Sequence, residues 1–141
     1  NIKKYSFLSN PSLDTHMGKY EKIIQNYLYK DLKRDYFEYN LLGSIHVEAG
    51  WQENKSIEEV MWLYKLRKKT GFPAAVVAYG NLEDKKCYKF LLNLKKYNFV
   101  KGIRMRLGQN IFNLKEKDNK IYNNKWLNGF KLLEEFNLIK N

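Results

Sequence analysis

The stretch FPAAVVAYGNLEDKKCYKFLLNLKKYNFVKGIRMRLG, residues 72–108, decides the fold class. Residues 72–80 are a short apolar run bounded by Pro73 and Gly80, the pattern of a buried strand. Residues 83–97 follow with an amphipathic helical pattern. Residues 99–108 then read as a strand in which Ile103, Met105 and Leu107 alternate with Gly102, Arg104 and Arg106. Strand, helix and strand at roughly 30-residue intervals form a βαβ unit, and therefore a parallel sheet. The connection is too long for a hairpin.

The same unit extends in both directions. Upstream, Ser56 stands three residues before Glu59, a capping-box spacing that opens a helix through Val60, Leu63 and Leu66 to about Thr70. Gly71 follows as a left-handed cap. Before it, NLLGSIHVEA (40–49) reads as another strand. From Gly18 to about Phe37, Tyr20, Ile23, Ile24, Tyr27, Leu28, Leu32 and Tyr36 recur at three- and four-residue steps, which predicts a further helix. Downstream, an asparagine- and lysine-rich loop over 109–123 leads to a helix at 125–137, and LIKN at 138–141 begins a fourth strand. The expected class is α/β, with residues 1–141 forming a single domain.

Alternation within the strands places candidate site residues. In SIHVEAGW (44–51), Ile45 and Val47 point one way and Ser44, His46 and Glu48 the other. Helices are expected to cover the apolar sides, leaving polar sides that meet toward the carboxyl ends of the strands. Parallel α/β folds bind ligands at those ends. His46, Glu48, Tyr79, Arg104 and Arg106 are the residues expected there. Four of them have a plainer reading: His46 as a satisfied core histidine, Glu48 as a turn cap or a partner for lysine, and the two arginines as edge-strand surface. Yet two of the four arginines fall within residues 103–107 of a chain that otherwise uses lysine 22 times. Arginine offers a rigid fork for carboxylate or phosphate that lysine lacks, which favours an anion or substrate contact.

Other features carry less. The net charge of +11 is spread along helix-like segments beside acidic residues, which favours a solvated surface over a nucleic-acid patch. Cys87 is the single cysteine, so no intrachain disulfide forms, and the cytoplasm is the expected compartment. It lies mid-helix and reads as a small core residue. His16 would need three or four convergent ligands to hold a metal, and Asp14 or Thr15 reads instead as a helix cap. No apolar run reaches the ~18 to 20 residues that span a bilayer. The glycines of GIRMRLG have neither Rossmann nor P-loop spacing.

Taken together and in order, SIHVEAGW, EEVMWLYKLRKKTGFPAAVVAYGNL (58–82) and FVKGIRMRLG (99–108) resemble the second amidohydrolase family, the metal-dependent TIM-barrel hydrolases that include sugar lactonases and 2-pyrone-4,6-dicarboxylate hydrolase. The segment YEKIIQNYLYKDL (20–32) is similar to the family's helix before the second strand. The resemblance covers roughly residues 18–138. It implies a partial (β/α)8 barrel, about strands 2 to 4 with their helices, where a whole barrel takes ~250 residues. The family's metal-binding His-x-His, its later histidine and its aspartate have no counterpart in this chain. The divalent metal, zinc or manganese, would then belong to the full-length protein, with its ligands outside this chain. The resemblance further implies hydrolysis of a sugar-acid or aromatic-catabolite lactone by metal-activated water. Arg104 would be the main substrate clamp and Arg106 the second, with Glu48, His46 and Tyr79 lining the pocket. The fragment alone is expected to be inactive. The rival reading is a small basic α/β module that binds nucleic acid or a protein partner without catalysis.

Overall fold

The computed structural model describes Lys4, Tyr5, Leu8, residues 20–107 and residues 123–140. Helices α1 (Tyr29–Asp35), α2 (Ser56–Thr70), α3 (Cys87–Leu94) and α4 (Asn124–Glu135) alternate with strands β1 (Ile45–Val47), β2 (Ala75–Tyr79), β3 (Val100–Arg104) and β4 (Ile139–Lys140). Asp14, Thr15 and His16 lie outside the described residues, as does the polar loop over 109–122. The chain divides into two compact units, one of Asn1–Ser44 with Ala49–Ala74 and one of Ile45–Glu48 with Ala75–Asn141.

The second unit holds the sheet formed among the described residues. Its four strands are parallel and lie in the order β1-β2-β3-β4. Ile45, His46 and Val47 stand beside Ala75, Val76 and Val77. Val76 stands beside Val100, but Val77 stands beside Gly102, so Lys101 is an extra residue that bulges out of β3. Ala78 then pairs with Ile103 and Tyr79 with Arg104. Register partners share a face of the sheet, and alternate residues take opposite faces. One face therefore carries His46, Val76, Ala78, Val100 and Ile103, and the other Ile45, Val47, Ala75, Val77, Tyr79, Gly102 and Arg104.

Burial shows which face the helices cover. Val76, Ala78, Val100 and Ile103 are buried, together with Leu91 and Leu94 of α3 and Leu133 of α4. A Cβ added to Gly80 would stand 2.9 Å from Ile103 Cγ2 and 3.1 Å from Phe90 Cε1, so α3 lies directly on this face. Gly129 brings α4 onto the main chain of Leu82, so closely that a Cβ there would collide with the Leu82 carbonyl. Asn123 starts α4 by accepting from the Lys125 amide at 2.9 Å.

The strand assignments at 72–80, 99–108 and 138–141 hold in shortened form, and the one at 40–49 reduces to three residues. The phasing of β1 is the reverse of the expectation. Ile45 is 68% exposed and Val47 is also exposed, whereas His46 shares the helix-covered face. The physical reason is that strands of a parallel sheet carry apolar residues on both faces. Apolar alternation within one strand therefore does not identify the covered side; the registered neighbours Val76 and Ala78 do.

In the first unit the helix expected over 18–37 forms, among the described residues of that span, as a 3-10 turn, Glu21–Ile23, and the seven-residue α1. Asp31 Oδ2 accepts from the Leu28 amide at 2.8 Å and starts a new helix there. Ile23, Tyr27 and Tyr36 are exposed, so burial gives a continuous helix no support. The Ser56–Glu59 capping box also does not form. Ser56 is the first residue of α2 after a 3-10 turn, Glu53–Lys55, and Glu59 is buried, accepting from Tyr5 Oη at 2.9 Å. Gly71 ends α2 as expected, left-handed at φ 80°, with its amide donating to the Arg67 carbonyl. Arg67 Nη1 then donates to the Pro73 and Ala74 carbonyls, tying the chain after the cap back to the helix.

Candidate functional site

The polar residues at the carboxyl ends of the strands come from three segments of the second unit. Val47 ends β1, and the Glu48 amide still donates to the Val77 carbonyl at 2.8 Å, so the residue is held at the strand's tip. Tyr79 ends β2. Arg104 ends β3 beside it, with its carbonyl accepting from the Gly80 amide. Arg106 follows two residues later.

Glu48 is the centre of this group. Its side chain is only 2% exposed, and its Oε1 lies 2.7 Å from Arg104 Nη1. The same Nη1 lies 3.3 Å from the Glu48 main-chain carbonyl oxygen. Arg106 Nε stands 4.0 Å from Oε1. Burying a carboxylate without partners is costly, and a short charge-assisted bond to a guanidinium is what makes such burial tolerable. β1 and β3 are not neighbours in the sheet, since β2 lies between them. The ion pair thus joins the ends of two strands that share no backbone hydrogen bond with each other.

Of the five expected site residues, Glu48, Arg104 and Arg106 come together, and Tyr79 lies in register beside Arg104 on the open face. His46 does not join them. It registers with Val76 on the face that α3 and α4 cover, so its assignment as a pocket-lining residue is corrected to a half-buried position behind the sheet. The partner of Glu48 is the point that the sequence left open. A turn or a lysine was the expected plain alternative; the partner found is Arg104. The available signal was the presence of one carboxylate and two arginines at ends of strands in a single sheet.

Within this cluster one carboxylate stands against two guanidiniums. Arg104 is 35% exposed and Arg106 63% exposed, so solvent reaches both. Chemically, the arrangement can hold a planar anion or polarise a carbonyl oxygen. Among the described residues no group of three or more His, Cys, Asp or Glu side chains converges as a metal site requires. Cys87 is buried on α3, and burial, with the nearby Asp84 carboxylate adding to it, pushes its thiol pKa up, away from the reactive thiolate.

No protein-family model matches the chain, and no solved structure matches it. The chain is similar to an uncharacterized protein, y4mH, of Sinorhizobium fredii, with 27% identity over 103 residues, which are 73% of this chain and 35% of that protein. It thus spans about a third of the length of the curated relative it matches.

Proposed function

We propose that this chain is part of a (β/α)8-barrel hydrolase related to the second amidohydrolase family, and that it contributes the substrate clamp of a lactonase-like enzyme. The observation that carries this reading is the Glu48–Arg104 pair, with Arg106 beside it, at the carboxyl end of a parallel sheet. Two features support the barrel. The strands run in sequence order without reversal, with α3 and α4 on one face, as in a singly wound barrel and unlike a doubly wound sheet. The relative, of which 103 residues are 35%, has about 290 residues, in line with the ~250 of such a barrel.

In this reading Arg104 and Arg106 bind the carboxylate or the lactone carbonyl of the substrate. Tyr79, in register beside Arg104, contributes a hydroxyl, and Glu48 holds Arg104 in place. Among the described residues no group converges to hold the zinc or manganese that the family resemblance implies; in this reading that metal is held elsewhere in the full-length protein, and these four residues bind and orient the substrate. The compartment assigned is the cytoplasm, on the single buried thiol. Among the described residues no helix is long and apolar enough to cross a membrane.

The test is hydrolysis of sugar-acid lactones and of 2-pyrone-4,6-dicarboxylate by the full-length polypeptide supplied with Zn²⁺ or Mn²⁺, followed by proton release. Wild type is expected to turn over at least one of these lactones. Arg104→Ala is expected to lose about 10- to 100-fold in kcat/KM, the worth of one charge-assisted hydrogen-bonded pair. A wild type inert toward every lactone, or an Arg104→Ala variant with unchanged kcat/KM, counts against the reading.

A further inference from the structure

The geometry points to Glu48 as a positioning residue, one that fixes Arg104 so that its side-on edge meets a carboxylate; this rests on the clamp reading above. Two acceptor oxygens of Glu48, side-chain Oε1 at 2.7 Å and the main-chain carbonyl at 3.3 Å, take the same nitrogen, Arg104 Nη1. A guanidinium is a rigid planar fork. Pinning Nη1 fixes its plane and leaves the edge formed by Nε and Nη2, where two N–H bonds run parallel and match the two oxygens of a carboxylate. Among the described residues Arg104 makes its polar contacts through Nη1.

Burial makes the anchor firm. The Glu48 side chain is almost wholly enclosed, whereas Arg104 is open to solvent over a third of its surface. An exposed arginine without such an anchor samples many rotamers, and ordering it on binding weakens affinity. Arg106 Nε, 4.0 Å from the same oxygen, is the second guanidinium held near the first. Two guanidiniums this close repel each other unless a carboxylate lies between them.

Charge and positioning make opposite predictions. If Glu48 acted only through its charge, removing it would strengthen anion binding. If it positions Arg104, removing it weakens binding although a negative charge has gone. The test is calorimetric titration of the full-length polypeptide with gluconate and with benzoate, each against its uncharged counterpart, sorbitol or benzamide. Wild type should prefer at least one anion over its counterpart. Glu48→Ala should weaken that anion about tenfold, in the range of other supporting residues. Glu48→Gln keeps an acceptor oxygen for Nη1 and should stay within about threefold of wild type. Thermal unfolding and circular dichroism of each variant establish that it is folded; should Glu48→Ala fail to fold, Glu48→Gln decides the question, since a loss there of tenfold or more removes the acceptor argument. Glu48→Ala binding as tightly as wild type or more tightly overturns the positioning role. Arg104→Ala separates the two ideas. If it abolishes the anion preference while Glu48→Ala leaves it intact, the clamp stands and the positioning role falls. If wild type shows no anion preference, or Arg104→Ala retains it, both fall.

Discussion

Replacing Gly129 by alanine should destabilise the second unit by about 2 kcal/mol, opposite to the usual effect in a helix. In an unobstructed helix interior, glycine to alanine gains about 1 kcal/mol. Here the new methyl would collide with the Leu82 carbonyl oxygen and stand 2.8 Å from its carbon and 3.0 Å from the Leu82 Cα. These are main-chain atoms, which cannot rotate aside as a side chain can, so α4 must back away by a distance on the order of an ångström. Trp126 and Leu133, buried three residues before and four after on the same helix face, move with it. A radial gap of about 0.5–1 Å forfeits roughly a quarter to a half of each dispersion contact. For two buried side chains worth about 1.5–3 kcal/mol each, the loss is about 1–2 kcal/mol, and residual overpacking adds a similar amount. Against the propensity gain this leaves about 2 kcal/mol. Urea unfolding followed by circular dichroism would show a midpoint lowered by about 1 M. Asn128→Ala, one residue away on the exposed side of α4, is the control and should raise stability by a few tenths of a kcal/mol, roughly the propensity difference. A Gly129→Ala protein as stable as the Asn128→Ala control would refute the close approach of α4 to Leu82.

Two further outcomes are expected. Gly71→Ala meets no atom within 4 Å, so its cost should be purely conformational, about 1–2 kcal/mol for a φ of +80°, and visible as a lowered Tm; a wild-type Tm would show that the cap is not left-handed. Cys87 should make stability fall with rising pH. As pH passes the ordinary thiol value of 9.0, the unfolded thiol loses its proton while the buried one keeps it, so the unfolded state binds fewer protons and is favoured. Comparing urea midpoints of wild type and Cys87→Ala from about pH 8 to 10.5 isolates this slope, and identical slopes would contradict it.

The βαβ organisation was legible because its signals are local. Pro73 and Gly80 bound β2, Gly71 ends α2, and the alternation around Arg104 gives the correct face of β3. Helix α1 was overextended because its periodic apolar residues, among them Ile23 and Tyr27, are exposed, and periodicity alone cannot report what covers a face. Ser56 and Glu59 had the right spacing for a cap, but Tyr5, 54 residues away in the chain from Glu59, takes the glutamate instead. The same limit affected the candidate site. Arg104 and Glu48 were each visible as residues at a strand's end, but their bond spans 56 positions. His46 was assigned to the wrong face because its orientation follows from the register with Val76, which one strand's sequence does not contain.

The three-residue edge strand β1 has a consequence for the behaviour of the material in solution. Among the described residues no strand pairs with its outer side, and Ile45 and Val47 stand exposed on its open face. Unpaired edges and bare aliphatic side chains promote association between copies, while a net charge of +11 keeps copies apart by repulsion whose range shrinks from about 30 Å at 0.01 M salt to about 3 Å at 1 M. Ionic strength should therefore govern the chain's colloidal behaviour: light scattering is expected to stay low in dilute buffer and to rise as salt shortens the repulsion.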